Sequence, residues 1–259
     1  MPILFQFCTI GKDVKAAVGD LEGMRTRREV NLDLLEAKQN VREVKTHIVV
    51  IGESSSRDFW SLYGFDKNTT PFMEKVFGKC ENCVFVKNAY SCDKLTEYSL
   101  SMALTEANQY NNKKFKTSFS IIDVLNKANV ETYWISNQNI WGNEDSSFNS
   151  VAKDANWKYF IQPRKFSDFD ERPIDELVLD PLKALRKGDR ERVIFIHLMG
   201  SHSPYRDRYP GKFEKFKITG KNKNTLNDYL NSIAYTDYVL RKLFKNPISE
   251  RWGKQICLN

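Results

Sequence analysis

The sequence predicts an α/β fold, an α/β/α sandwich with a mostly parallel central sheet. Two short apolar runs, at residues 47–51 and 192–199, are rich in β-branched residues, and each is followed by a glycine. Such runs are typical of strands that are buried on both faces of a parallel sheet. Segments with helical periodicity lie between and after the two runs, and strands that alternate with helices favour this fold class.

The chain divides by pattern into three parts. Apolar residues recur at roughly helical spacing over residues 12–44, which predicts a lead-in of one or two amphipathic helices at residues 1–44. Residues 45–245 carry the alternating elements, and we expect them to form one domain. Residues 246–259 are predicted to be a polar tail.

Four further elements are predicted within the central part, together with one long loop region. Val84–Val86 and Val130–Ile135 have the composition of strands, whereas Ile121–Ala128 and Leu226–Phe244 have the periodicity of helices. Residues 136–175 are polar and irregular, which predicts surface loops. In a parallel sheet the functional groups collect at the carboxyl ends of the strands, so the candidate residues are sought there.

The charge pattern narrows the classes of partner. The formal net charge is +7, which suits anionic partners such as phosphorylated lipids or glycans. The basic residues are scattered along the chain and form no run, so we expect no nucleic-acid partner. No stretch approaches the roughly 20 apolar residues of a membrane helix, and residues 1–8 are too short for the core of a signal peptide.

The five cysteines leave several chemistries open. An odd number at irregular spacing is not the pattern of a small disulfide scaffold. Cys80 and Cys83 form a CxxC pair, but a structural zinc site needs about four ligands and no second close pair is present. The alternatives are a zinc site, a disulfide among Cys80, Cys83 and Cys92, or free thiols.

The first cluster of candidate functional residues follows the first predicted strand. Glu53 stands in a turn rich in glycine and serine, and a carboxylate there is well placed to hold a divalent cation that activates phosphate esters. The alternative is a structural acid at the start of a helix.

The second cluster is a segment rich in hydroxyl groups, residues 91–102. Its hydroxyl groups could act as a nucleophile where a metal lowers their pKa. The alternative is that Thr96 or Ser91 caps the amino terminus of a helix.

The third cluster follows the second apolar run. His197 and His202 are two of only three histidines in the chain, and histidine serves in metal binding and proton transfer near neutral pH. His197 lies inside the apolar run, where a core role is the alternative, so His202 is the better functional candidate.

Three segments in this order resemble the phosphoethanolamine transferases of the alkaline phosphatase superfamily. This family decorates lipid A and other surface structures and includes the mobile colistin-resistance proteins. The resemblance covers roughly residues 46–210, and its segments read VVIGESSSRDFWSLYGFDKNTTPFM, SCDKLTEYSLSMAL and IHLMGSHSPYRDRYP. It implies an alkaline phosphatase-like fold for the sheet that we predict.

The resemblance also implies roles for individual residues. Glu53 matches the zinc-binding glutamate, and Thr96 matches the threonine that is both nucleophile and zinc ligand. His202 matches the histidine near the transferred group. Asn137 and Gln138 lie about where the family has polar substrate contacts.

The implied reaction is a transfer in two steps. Zinc would polarise Thr96 and the phosphoryl oxygens, and Thr96 would take phosphoethanolamine from phosphatidylethanolamine. A surface acceptor, either lipid A or a glycan, would then collect the group. The implied location is the periplasmic face of the bacterial inner membrane, beside the membrane surface.

The chain departs from the family pattern at one important point. The family places an Asp-His zinc pair beyond the long helix, whereas no histidine follows His202 in this sequence. A catalytic zinc normally has about three protein ligands. We therefore expect a catalytic domain that is cut at both ends and incomplete at its carboxyl terminus, with an exposed sheet edge and weak or no activity.

Two other functions remain as alternatives. One is a phosphomonoesterase or sulfatase of the same superfamily, although the nearest match to the sulfatase motif has His202 where that motif needs Cys or Ser. The other is a remnant without catalytic activity that binds anionic lipid or glycan.

Overall fold

The computed structural model of the protein describes residues 28–33, 35–36, 46–81, 83–138, 151–161, 174–185, 190–220, 223–245 and 256–258. The chain divides into two compact units. The first comprises Met1–Asn40, Ser91–Val130 and Asp145–Asp154, and the second comprises Val41–Tyr90, Glu131–Glu144 and Ala155–Asn259.

The second unit contains a parallel sheet of five strands, in the order β3-β2-β4-β1-β5. These strands are β1 (Thr46–Ile51), β2 (Glu131–Ser136), β3 (Trp157–Phe160), β4 (Arg192–His197) and β5 (Ile256–Leu258). The predicted α/β class with a mostly parallel sheet is confirmed.

The α-helices are α1 (Pro71–Phe77), α2 (Thr96–Leu104), α3 (Ile121–Lys127), α4 (Leu179–Ala184) and α5 (Lys223–Phe244). Short 3-10 segments connect several elements, at Arg57–Phe59, Ser61–Tyr63, Phe115–Thr117, Asp175–Val178, Tyr205–Arg208 and Gly211–Phe213. None of the helices in the described ranges is long and apolar enough to cross a membrane.

The centre of the sheet is buried as its apolar runs predict. Every residue of β4 is buried, and in β1 Ile48, Val50 and Ile51 are buried. Helix α5 contributes Tyr235, Val239, Leu240 and Leu243 to the same hydrophobic cluster as the strand residues. Its other buried apolar residues, Leu230, Ile233 and Ala234, continue the pattern with the period of a helix. Burying one such large aliphatic side chain contributes about 1.5–3 kcal/mol, so the sheet and α5 together fix the framework that carries the loops.

In the first unit, several polar contacts lie at the amino terminus of α3. Ser120 and Asp123 form a reciprocal capping box at this end of the helix. The guanidinium of Arg28, in a helical segment at residues 28–33, donates to the Asp123 carboxylate at 3.0 Å and also bonds to Asp154. Most of the predicted helical lead-in lies outside the described residues, which here include only residues 28–33 and 35–36.

Three predictions about strands need correction. Val84–Val86 is not a strand, and Val84 is 85% exposed. Residues with high β propensity form a strand only where a neighbouring strand pairs with them. The predicted loops at residues 136–175 contain β3, an edge strand whose side chains are largely exposed and therefore lack an apolar run. The predicted polar tail contains β5, which pairs with β1.

Candidate functional site

The carboxyl ends of three neighbouring strands lie level with one another. Ile51, the last residue of β1, pairs in register with His197, the last residue of β4. His197 also pairs with Ser136, the last residue of β2. The segments that follow these three strands therefore begin at the same edge of the sheet, and they contain Glu53, Asn137, Gln138 and His202.

Glu53 follows β1 by two residues and is 9% exposed. The hydroxyl of Ser54, a residue with a positive φ of 50°, donates to Oε1 of Glu53 at 2.8 Å. The structural alternative for Glu53 is wrong, because the cap of the next helical segment is Ser56, whose hydroxyl accepts from the main-chain N–H of Asp58. The Glu53 carboxylate thus lies at the carboxyl end of a central strand, outside the cap and the first turn of the segment Arg57–Phe59.

The two histidines of the β4 segment have different surroundings. His197 is completely buried, and burial lowers its pKa to about 3, so its imidazole is neutral near pH 7 and unsuited to accept protons there. His202 is exposed, and its Nδ1 lies 2.7 Å from the carbonyl oxygen of Ser203. Of the two, His202 has the accessibility that contact with a substrate requires.

Asn137 and Gln138 tie the end of β2 to the neighbouring loops. The side-chain amide of Asn137 donates to Oδ1 of Asp175 at 2.8 Å, and its main-chain N–H donates to the carbonyl oxygen of His197 at 2.9 Å. The side-chain amide of Gln138 donates to the carbonyl oxygen of Leu198 at 2.7 Å. The Gln138 side chain therefore contacts the segment after β4 directly, whereas the Asn137 side chain reaches Asp175.

Asp175 is a buried carboxylate at this edge that the sequence does not reveal. It stands at the start of a 3-10 segment, where an acid is ordinary, and no motif surrounds it. In the fold it is 3% exposed and contacts the segments after β2 and β4. Burial raises its pKa, whereas the hydrogen bonds that it accepts act in the opposite direction.

Thr96 belongs to the first unit, where it is the first residue of α2. The residue at the cap position is Leu95, which provides no side-chain hydrogen bond, so Thr96 occupies the first helical position and not the cap. The main-chain N–H of Leu95 donates to the carboxylate of Asp93 at 2.8 Å, which turns the chain just before the helix. The Thr96 side chain is partly exposed.

The cysteine alternatives are resolved for three of the five residues. Cys80 and Cys83 form a disulfide, so the CxxC pair is not a zinc site. Cys92 is exposed and takes no part in that disulfide.

The side chains of the described segments supply part of a zinc site and do not complete it. The Glu53 carboxylate is a hard oxygen donor of the kind that zinc accepts. However, no group of three or more His, Cys, Asp or Glu residues that could hold a metal occurs in the ranges that the structure describes. Glu53 therefore belongs to no such group within these ranges.

Comparison with known proteins identifies the family. A family model described as sulfatase matches residues 45–246. The phosphoethanolamine transferase EptC of Escherichia coli O18:K1:H7 (strain RS218 / NMEC) is 30% identical over 214 residues, which are 79% of this chain and 37% of the relative. The phosphoethanolamine transferase OpgE of Escherichia coli K12 is 32% identical over 202 residues, which are 77% of this chain and 36% of the relative.

A solved structure supports the same relationship. The C-terminal periplasmic domain of EcEptC from Escherichia coli, solved in complex with Zn, superposes with a TM-score of 0.76 and 27% identity. The match covers 85% of this chain and 64% of that domain. Of the two full-length transferases EptC and OpgE named above, the chain spans less than two fifths of the length. Because the family model matches most of its residues, the chain belongs to the sulfatase family.

Proposed function

We propose that this chain is part of the catalytic domain of a phosphoethanolamine transferase. Its relatives named above carry this activity in their names. The observation that carries the proposal is the position of Glu53, a carboxylate at the carboxyl end of β1 that lies beside the segment carrying His202. Ligand sites of open parallel sheets lie at such an edge.

Thr96 is the proposed nucleophile. Its hydroxyl oxygen forms a bond to the phosphorus of phosphatidylethanolamine as the bond between phosphorus and the glycerol oxygen breaks, and diacylglycerol leaves with a proton. An acceptor hydroxyl or phosphate then attacks the same phosphorus, and Thr96 regains its proton. Covalent catalysis speeds such a transfer because it divides one difficult step into two easier displacements.

Glu53 and Thr96 are each proposed as zinc ligands, as the resemblance implies. Zinc, when bound, would lower the pKa of a coordinated hydroxyl and offset charge on the phosphoryl oxygens. Since the described residues complete no site of three ligands, we expect this 259-residue chain to bind zinc weakly and to transfer slowly.

The substrate contacts are proposed at the same edge of the sheet. His202, Asn137 and Gln138 are the candidate contacts to the transferred group. The donor is phosphatidylethanolamine, and the acceptor is lipid A or a surface glycan. The net charge of +7 suits these anionic acceptors and a membrane surface. The proposed location is the periplasmic face of the inner membrane, since the matched EcEptC domain is described as periplasmic.

Two alternatives each have one observation in their favour. The matching family model is described as sulfatase, which favours a hydrolase that transfers the group to water. The absence of a group of three metal-binding residues from the described ranges favours a remnant that binds anionic lipid or glycan without catalysis.

A covalent capture experiment separates these functions. The chain is incubated with zinc and phosphatidylethanolamine that carries a labelled headgroup, and peptides are analysed by mass spectrometry for phosphoethanolamine on Thr96. We expect a small but specific fraction of modified Thr96, and lipid A then collects the label. Thr96→Ala should abolish both signals, whereas Thr117→Ala, which changes a threonine of a 3-10 segment, should leave them unchanged.

Each alternative predicts a different result. Release of the label to water alone, with none on lipid A, would identify a hydrolase. Lipid binding that survives both chelation and Thr96→Ala, with no label on the protein, would identify a binding remnant. Transfer to lipid A that persists in Thr96→Ala would reject Thr96 as the nucleophile.

A further inference from the structure

The carboxylate of Asp175 accepts three hydrogen bonds from the segments that follow two other strands. Oδ1 accepts from the side-chain amide of Asn137 and from the main-chain N–H of Met199, each at 2.8 Å. Oδ2 accepts from the main-chain N–H of Gly200 at 2.8 Å. Asp175 therefore joins the end of β2 to the loop after β4.

The loop that Asp175 holds lies directly against Glu53. A Cβ placed on Gly200 would be 2.6 Å from the carbonyl oxygen of Glu53 and 2.9 Å from its main-chain nitrogen. The next residue, Ser201, donates its main-chain N–H to the same carbonyl oxygen at 2.9 Å. A displacement of Met199 or Gly200 therefore reaches the Glu53 main chain through direct contact.

A carboxylate is the side chain that fits this position. Its two oxygens accept all three donors, whereas asparagine has one acceptor oxygen and would turn an NH₂ group toward a donor. Burying a charge is costly unless it is well bonded, and an apolar side chain at this position would leave the three donors without their acceptor. The carboxylate thus does more than fill space, because it sets the course of the main chain after β4.

We propose that Asp175 is a positioning residue that holds Glu53 and the His202 segment in their reactive arrangement through the main chain of Met199 and Gly200. Asp175 does not itself contact the reacting groups. The catalytic consequence rests on the proposed function of Glu53, whereas the positioning of the Glu53 main chain does not. The two parts are measured separately.

The positioning is tested by Asp175→Asn, with Asp180→Asn as the matched control. Asp180 lies on α4 and pairs with Lys183 at the surface, so its substitution should change nothing at the sheet edge. In Asp175→Asn we expect amide hydrogen exchange at Met199, Gly200 and Ser201 to accelerate at least tenfold. The amide resonance of Glu53 should shift as well, while exchange in the buried part of α5 stays as in the wild type.

Two results would overturn the positioning role. One is wild-type exchange in the loop together with an unmoved Glu53 resonance. The other is equal acceleration in the loop and in α5, which indicates general loss of stability. If Asp175→Asn does not fold, hydrogen exchange of the wild-type protein tests the positioning role. The role requires the Gly200 amide to be protected as strongly as the amides of β4. Exchange of the Gly200 amide at the rate of an open loop would contradict it.

Zinc affinity then measures the consequence for the site. Replacing a group that orients a metal ligand typically lowers metal affinity about 10–100-fold, and we expect a loss at the lower end of that range for Asp175→Asn. If the Glu53 resonance moves but the affinity of a zinc-binding wild type is unchanged, Asp175 has no role in the reaction. If the wild type binds no zinc, the proposed function of Glu53 fails while the exchange data still decide the positioning.

Discussion

The main-chain N–H of Ser201 donates a hydrogen bond of 2.9 Å to the carbonyl oxygen of Glu53. This bond joins the loop after β4 to the loop after β1 at a point where Gly200 leaves no room for a side chain. The two central strands thus share one junction at their carboxyl ends. The position of the Glu53 carboxylate depends on that junction as well as on β1.

Replacing Gly200 by alanine should disturb this junction. Gly200 has a φ of 54°, and its Cβ would stand 2.6 Å from the Glu53 carbonyl oxygen, a main-chain atom that cannot move aside cheaply. Strain of a left-handed residue alone costs about 1–2 kcal/mol, so we expect Gly200→Ala to lower the free energy of unfolding by at least about 2 kcal/mol. Urea denaturation measures the change.

Gly211→Ala is the control for this substitution. Its Cβ would meet only the flexible guanidinium of Arg206, at 3.3 Å. We expect a change within about 0.5 kcal/mol, as for an ordinary surface position. Equal effects of the two substitutions would mean that the close approach of Gly200 to Glu53 is unimportant.

Asp237 of α5 caps helix α1 from outside that helix. Its carboxylate accepts the main-chain N–H groups of Phe72 at 2.9 Å and Met73 at 3.0 Å, whereas the side chain of Thr70, the residue at the cap position, makes no capping bond to α1. Asp237→Ala leaves these two donors without that acceptor. We expect a loss of about 2–4 kcal/mol in the free energy of unfolding, since bonds to charged groups contribute about 1.5–3 kcal/mol each.

Asp66→Ala is the matched control for Asp237. Asp66 is exposed and pairs at the surface with Lys67, a contact of little energetic value. Its replacement should change stability by less than about 0.5 kcal/mol. A loss for Asp237→Ala no larger than that for Asp66→Ala would refute the capping role.

His197 should make stability depend on pH. Its folded-state pKa is about 3, below the ordinary value of 6.5, because burial disfavours the imidazolium. As the pH falls below about 6.5, the unfolded chain binds a proton that the folded chain refuses, so stability declines by up to about 1.4 kcal/mol per pH unit. The loss continues until the pH approaches 3.

The variant His197→Leu removes this contribution. Between pH 6.5 and 4.5 its stability should decline by about 2 kcal/mol less than that of the wild type. Parallel curves for wild type and His197→Leu would show that His197 does not titrate on unfolding.

The central strands and the long helix could be predicted because buried elements have a characteristic pattern of apolar residues. β4 is buried on both faces and reads as an unbroken apolar run, and α5 carries its apolar residues at the period of a helix. Val84–Val86 has a similar composition but pairs with no strand in the described sheet, because pairing depends on residues far away in sequence. Edge strand β3 is largely exposed and shows no apolar run.

Glu53 and His202 could be proposed from the sequence because each lies in the segment that follows a recognisable strand. Asp175 could not, since its importance comes from hydrogen bonds to Asn137, Met199 and Gly200, which are 24 to 38 residues away in sequence. The sequence around an aspartate at the start of a helical segment does not show which groups its carboxylate contacts. Such long-range contacts are visible only in the folded chain.

Zinc titration of the wild-type chain beside Glu53→Ala tests the central claim most directly. The metal is first removed with a chelator, and zinc is then titrated calorimetrically, with Glu74→Ala, an exposed glutamate of α1, as the control. We predict weak binding that Glu53→Ala abolishes and Glu74→Ala preserves. Zinc binding of equal strength in wild type and Glu53→Ala, or none in either protein, would contradict the assignment of Glu53 as a zinc ligand.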